Sequence, residues 1–487
     1  MCQANALARR ERHDMNDAPG SRLPQKRVPP PRSTTMPMGL RAWPERWGRA
    51  QRRLGWAVAI LLVASIPLAA LVLAGLPHVF RTPLVRNVLT HQADASLPGV
   101  SDPAFAQTLT LLTGTTLTAG SAVEVLSNGE GTFGRIWDDL RVARRSITVQ
   151  VYYAAAGTVV DRTTQVLAER ARAGVKVYFL YDAFGAQGFP PRNLELLRAS
   201  GVKTAEFRPL RWYTVDRANH RSHVRGVVID GTVGYAGGFG LDDKWLGAGR
   251  LPSEWRDTNA RFTGAAVAQL QAIFIAQWAE ATGMLLTGEH FLPAHDGAPE
   301  PATQTASIAL LYSPAVTGST SAERLLALSI ASARRHLYVS NAYFVPHADF
   351  VQLLIDAARR GVDVRILING PRTDVKITWL AGRSRYEALL EAGVRLYEYQ
   401  PTAMHAKTFV ADGLWSGITT MNLDNRSLAY NNELALLCLD PAVGATMESL
   451  FLEDVRFADE IQLETFRRRT WMARLSERAA NLLASVL

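Results

Sequence analysis

A unit of strand, helix, strand, helix and strand occurs twice in this chain. The first copy opens at Ala143-Arg144-Arg145-Ser146-Ile147 and alternates apolar and polar residues from Ile147 to Tyr153. A helix pattern follows from Thr163 to Ala173, then the apolar run Gly174 to Asp182. The second copy opens at Ala333-Arg334-Arg335-His336-Leu337, with a strand to Tyr343, a helix pattern through Arg360 and the run Gly361 to Ile368. Each continues into a helix closed by glycine, LELLRASGV over 194–202 and YEALLEAGV over 386–394. Strands alternating with helices at this spacing predict an α/β fold with parallel sheets built from βαβ units. A repeat of the unit predicts two such sheets with a cleft between them. Residues 285–307 are rich in Gly, Pro, Ala and Thr and form the expected linker.

Each copy carries one histidine motif at the matching place. In the second, His405, Lys407 and Asp412 form H-x-K-x4-D, with the apolar run Thr408 to Ala411 through it and the turn signal Asp412-Gly413 at its end. On a strand, His405 and Lys407 share a face. A cation two residues from an imidazole is a good seat for a phosphate. Asn422, Arg426, Ser427 and Glu433 add polar groups beyond it. In the first copy, His223, Arg225 and Asp230 form H-x-R-x4-D-G, 182 residues earlier, followed by Gly237-Gly238 and by Trp255-Arg256-Asp257. One such motif is a weak signal; two in register with a repeat are a strong one.

The stretch from Met404 to Glu433 resembles the active-site motif of the phospholipase D superfamily, and more narrowly that of bacterial cardiolipin synthases. Asn219 to Gly238 resembles the first motif of those enzymes. Asn341 to Pro346 and Tyr397 to Pro401 resemble the segments ahead of the second. The resemblance runs from about Leu112 to the C-terminus. It implies two repeated phospholipase D-like α/β sandwich domains, over 119–284 and 308–460, behind an N-terminal transmembrane helix.

Phosphodiester cleavage needs a nucleophile on phosphorus and a proton for the departing oxygen. Two imidazoles on opposite sides of the phosphorus supply both. By resemblance His223 is the nucleophile and His405 the acid and base, although the residues alone do not fix which is which. Lys407 and Arg225 would hold the non-bridging oxygens, and Asn422 would donate to them. Asp257 and Glu433 resemble the carboxylates that orient the histidines. Asp230 and Asp412 complete the catalytic motifs, with side chains that suit holding the strand turns. No metal and no cofactor is expected.

The chain departs from the family pattern in four places. Arg225 stands for a lysine, and Arg and Lys are not equivalent phosphate ligands. Gly240 stands where Asn is usual, and Asn259 where histidine is frequent. Thr419-Thr420 replace Gly-Ser ahead of Asn422.

Net charge is +9, but residues 1–53 hold twelve Lys/Arg against four Asp/Glu, a net +8 that leaves +1 for the rest. A nearly neutral folded part argues against nucleic acid as partner, since that binding rests on phosphate neutralisation. The two cysteines, Cys2 and Cys438, exclude a disulfide framework. Residues 1–53 form the expected disordered basic tail. Leu54 to Leu76 carries no charge over 23 residues, enough to span a bilayer. A cleaved signal peptide is the rival, with Val72-Leu73-Ala74 near a possible cut. Arg46, Arg49, Arg52 and Arg53 precede the span, which puts the N-terminus in the cytoplasm and the catalytic part outside the inner membrane.

Residues 77–118 connect the span to the first domain, and 461–487 form a basic C-terminal helix, packed or lying on an anionic membrane. The expected partners are the membrane and a phospholipid, phosphatidylglycerol first. The leading function is a phosphatidyltransferase of the cardiolipin synthase type. Hydrolysis as a phospholipase D, or lipid binding without turnover, are the alternatives.

Overall fold

Seven strands recur in one spatial order in both halves of the computed structural model, which describes residues 97–211, 219–293, 306–315 and 320–482 with positions 54–56, 58, 60 and 65. The chain divides into two compact units, Met1–Leu68 and Ala69–Leu487. All the strands among the described residues belong to the second. The expected tail over 1–53 lies outside the described residues. So does most of the expected span over 54–76, where Leu54, Gly55, Trp56, Val58, Ile60 and Ser65 are helical. Among the described residues no helix is long and apolar enough to cross a membrane.

The first sheet runs, in spatial order, Val123–Ser127, Thr258–Thr263, Val233–Gly237, Gly226–Ile229, Ser146–Val151, Lys176–Asp182 and Lys203–Phe207. The second runs Ala306–Ser313, Glu433–Leu439, Trp415–Thr419, Thr408–Ala411, His336–Asn341, Asp363–Asn369 and Arg395–Tyr399. Thr118–Ser121 and Ala458–Glu460 extend its two edges to nine strands. The sheets are mixed, not parallel as the βαβ pattern suggests. Only the last three strands of each seven are mutually parallel. Helices carry those crossovers, Thr158–Arg172 and Pro191–Ala199 in the first half, Ala348–Arg359, Lys376–Arg383 and Tyr386–Glu391 in the second. The other pairings are antiparallel, because each histidine motif feeds a hairpin instead of a crossover.

Those hairpins turn on Asp230-Gly231 and Asp412-Gly413, whose φ values are 54°, 69°, 55° and 65°. Positive φ at both central residues gives the turn a twist that matches its strands, and Asp-Gly accepts it at small cost. The Asp230 carboxylate accepts the backbone N–H groups of Arg144, Arg145 and Ser146. Asp412 accepts those of Arg334, Arg335 and His336. The guanidinium groups of Arg145 and Arg335 donate to the Asp230 and Asp412 carbonyls.

Strands with both faces covered read as continuous apolar runs. Val227 and Ile229 enter the outer core of the first half, and Val228 enters a central core. Phe409 and Ala411 enter the outer core of the second half, and Val410 the same central core. Two helices, Ala266–Thr282 and Pro441–Val455, add Leu270, Ile273, Met447 and Phe451 to that shared core. The C-terminal segment forms two short helices, Leu463–Arg467 and Trp471–Asn481, where the sequence suggests one. Phe466 of the first is buried, whereas Trp471, Met472 and Leu475 of the second are exposed, so the two helices do not share one apolar face.

Candidate active site

The two halves exchange short backbone contacts at the histidines. Ala403–Met404 pairs in parallel with Trp255–Arg256, and the His405 N–H donates to the Arg256 carbonyl at 2.7 Å. In the mirrored place, Ser222 bridges Asn432 in parallel, and the His223 N–H donates to the Asn432 carbonyl at 2.9 Å. Each histidine is thereby set beside the residue that follows its partner strand: His405 beside Asp257, His223 beside Glu433. The buried pair Arg256–Asp454, 2.7 Å apart, ties the same first-half strand to a second-half helix.

His405 Nδ1 lies 2.7 Å from Asp257 Oδ2. His223 Nδ1 lies 3.0 and 3.1 Å from the two oxygens of Glu433. Arg225 Nη2 donates to His223 Nε2 at 3.0 Å. A guanidinium only donates, so Nε2 holds a lone pair and the proton of neutral His223 sits on Nδ1, facing Glu433. Burial, and then the Arg225 and Lys407 cations, hold the His223 imidazole well below the usual histidine value. Burial and Lys407 do the same to His405, against the opposing pull of Asp257.

The two carboxylates differ. Burial alone would raise Asp257, but the charge and hydrogen bond of His405, with Lys407 and the Trp245 indole, outweigh it and keep it below the usual range. Burial pushes Glu433 up to about 8, although the Thr420 hydroxyl and the Asn431 amide donate to it. Asp257 is thus the stronger acid of the two carboxyls and Glu433 the weaker.

Both histidines line a cleft of about 470 Å³ with Arg225, Asn422, Asp424 and Arg426. Arg225 Nε and Nη1 and Asn422 Oδ1 are buried without a hydrogen-bond partner among the described residues. On residues that line a cleft, such atoms are free to meet a bound group. Lys407 sits just ahead of the Thr408–Ala411 strand. Its ammonium donates to the His405 carbonyl at 2.6 Å, and burial draws it down to about 7. Asp230 and Asp412 do not line the cleft; they stand at the hairpin turns.

Several lining residues lie outside the two histidine motifs themselves. Tyr152 meets the His223 ring edge-on at 4.9 Å. Trp245 and Trp255 pack on His405 at 5.2 and 4.8 Å, and Trp245 Nε1 donates to Asp257 Oδ2 at 2.8 Å. The Lys244 ammonium lies 3.7 Å from the Tyr153 ring centre and 3.9 Å from that of Trp255. Tyr343 donates to Asp374 at 2.8 Å. Trp255 and Tyr343 fall in segments the sequence singles out; Lys244 and Trp245 carry no such signal.

The family described as cardiolipin synthase, phospholipase D-like domain, matches residues 326–455. A cardiolipin synthase from Geobacillus kaustophilus (strain HTA426) is 36% identical over 373 residues, covering 75% of this chain and 72% of that protein. The chain belongs to the cardiolipin synthase family. A second member, cardiolipin synthase A from Pseudomonas entomophila (strain L48), is 34% identical over 76% of each chain. Among solved structures, phosphatidylserine synthase from Haemophilus influenzae Rd KW20 matches 79% of this chain and all of its own with a TM-score of 0.59. At 16% identity that likeness is one of fold. Membership of the cardiolipin synthase family makes this chain a phospholipase D-like phosphatidyltransferase.

Proposed function

We propose that this enzyme moves the phosphatidyl group of one phosphatidylglycerol onto a second, releasing glycerol and forming cardiolipin, through a phosphohistidine at His223. The reading rests above all on the reciprocal pairs His223–Glu433 and His405–Asp257 at one cleft. Two imidazoles held by carboxylates from opposite halves suit an in-line displacement, with attack from one side and departure on the other.

In the first step His223 Nε2 attacks phosphorus and the bond to the glycerol oxygen breaks. His405 gives its proton to that oxygen, and glycerol leaves. In the second step a hydroxyl of another phosphatidylglycerol gives its proton to His405 and attacks the phosphohistidine. The P–N bond breaks and His223 is restored. The unequal carboxylates support this assignment. An ionised Asp257 stabilises His405 as imidazolium, the form an acid needs. The weaker acid Glu433, with Arg225 close by, favours a neutral His223, the form a nucleophile needs. The negative phosphate raises the proton affinity of His405 while it is bound. Arg225, Lys407 and Asn422 would take the non-bridging oxygens.

The rest of the reading extends from the sequence. A span over 54–76 anchors two catalytic domains, 119–284 and 308–460, outside the inner membrane of a bacterium. The test is expression of the full chain in a bacterium without its own cardiolipin synthases, with lipids followed by mass spectrometry. New cardiolipin that disappears in His405→Ala is the expected result. Phosphatidic acid without cardiolipin would make water the acceptor. No change in either lipid, with the protein in the membrane, would reject the function.

A further inference from the structure

The C-terminal helix Trp471–Asn481 packs with the wrong face outward for a soluble protein. Its inward side carries Glu477, 2% exposed, and Ala480, 6% exposed. Glu477 accepts hydrogen bonds from Arg469 at 2.9 Å and from Arg383 at 3.3 Å, so polar bonds hold the helix in place. Its outward side carries Trp471, Met472 and Leu475, which are 71%, 62% and 58% exposed, and Leu482 just past its end is 81% exposed. At 100° per residue these four fall within about 100° of the helix circumference, one apolar stripe. Arg474 and Arg478 border that stripe on one side and are exposed. The helix packs on Ile377 and Leu380. Their helix, Lys376–Arg383, begins one residue after Val375, which lines the cleft.

We propose that this stripe lies in the interfacial layer of an anionic lipid membrane and sets the cleft beside it. A helix with Trp and Leu on one face and Arg along its border is the kind that beds into headgroups by apolar burial and by attraction to anionic lipid. Trp suits that layer in particular, since its ring is apolar and its N–H stays wet. A contiguous exposed apolar stripe rimmed by charge marks an interaction site. The inference does not depend on which phosphodiester the cleft cleaves.

The test uses the full chain, with Cys2→Ala, reconstituted in vesicles of phosphatidylcholine and phosphatidylglycerol. A fluorophore is attached at Leu475→Cys, and in a second protein at Ser476→Cys, which is exposed but off the stripe. The label at 475 should be quenched by a lipid-borne nitroxide and shielded from aqueous iodide, and the label at 476 should show the reverse. A label at 475 open to iodide in vesicles overturns the proposal. So does one shielded from both quenchers, since the stripe is then covered by another part of this chain or by a second copy. As a second measure, Trp471→Glu with Leu475→Glu should lower turnover of vesicle lipid, relative to a soluble phosphodiester, by about tenfold or more. An equal loss on both substrates overturns the proposal as well.

Discussion

His223 Nδ1 lies 3.0 Å from Glu433 Oε1, across 210 positions of the chain and from one half of the repeat to the other. His405 makes the mirrored contact with Asp257 at 2.7 Å. Each half therefore supplies the carboxylate that fixes the other half's histidine. Neither half holds a complete pair alone.

The unequal carboxylates predict unequal losses. Asp257→Asn removes an anion from His405 and should lower kcat by about 10²-fold or more, the usual scale of acid–base catalysis. Glu433→Gln replaces a carboxyl that burial makes the weaker acid of the two, and should cost less. Steady-state rates on phosphatidylglycerol decide this. The opposite order would exchange the roles assigned to His223 and His405.

A donor with a good leaving group isolates the covalent step. A p-nitrophenyl phosphodiester needs no proton for departure, so His405→Ala should still release about one equivalent of nitrophenolate in a burst. His223→Ala should give no burst. Rapid-mixing absorbance measures both, and a burst from His223→Ala would place the nucleophile elsewhere.

Much of the fold could be read in advance, because helix periods, apolar runs and Asp-Gly turns are local signals. Ser146–Val151, Lys176–Asp182, His336–Asn341 and Asp363–Asn369 fall where the repeat put them. The hairpin at Asp412-Gly413 was legible too, but the antiparallel pairing of the hairpins with the parallel strands and the added edge strands escaped, since pairing partners are chosen by tertiary contact. The site divides in the same way. His223, His405, Arg225 and Asn422 announce themselves by motif and do meet at one cleft. The exchange of carboxylates rests on contacts 148 and 210 residues apart, and no local pattern carries it. Lys244 and Trp245 belong to no motif either.

The turn aspartates are predicted to matter for stability more than for chemistry. The Asp412 carboxylate accepts three backbone N–H groups, and such charged hydrogen bonds are worth about 1.5–3 kcal/mol each in favourable cases. Bonds that share one carboxylate do not simply add, so Asp412→Ala should lower the unfolding free energy by about 3–5 kcal/mol, and the folded fraction should still turn over lipid. Denaturant titration beside activity at low temperature compares the two. A rate lost with unchanged stability would return Asp412 to the catalytic group.

Glu433 also predicts how stability varies with pH. Its folded pKa is raised by burial from the ordinary 4.5 to about 8. Between those values the unfolded chain has lost this proton and the folded chain keeps it, so the unfolded state binds fewer protons. Stability therefore falls as pH rises through that window. Glu433→Gln removes the term, and its stability relative to the wild type should climb from pH 5 to pH 8. Denaturation in detergent across that range measures it. Parallel curves for the two proteins would mean that folded Glu433 is already ionised.

The first motif has a glycine where the second has its asparagine. In the repeat, Gly238 and Gly240 stand opposite Thr420 and Asn422. Thr420 gives its hydroxyl to Glu433, whereas a Cβ at Gly238 would lie 2.3 Å from an oxygen of Asp257. Trp245 Nε1 serves as donor to Asp257 in place of a residue 238 hydroxyl, at 2.8 Å. Its ring also fills the room an asparagine would need, since a Cβ at Gly240 would lie 2.7 Å from Trp245 Cζ3. The indole thus takes the place of two polar groups found in the second half. Gly240→Asn should push Trp245 off Asp257 and cut activity by about tenfold or more, the scale on which one preorganised donor acts. Trp245→His keeps an N–H on a smaller ring, and in that background Gly240→Asn should cost much less. Positions that share space are non-additive in this way. Rates of the two single variants and the double variant form the cycle, and strictly multiplicative losses would show that positions 240 and 245 do not compete for one place.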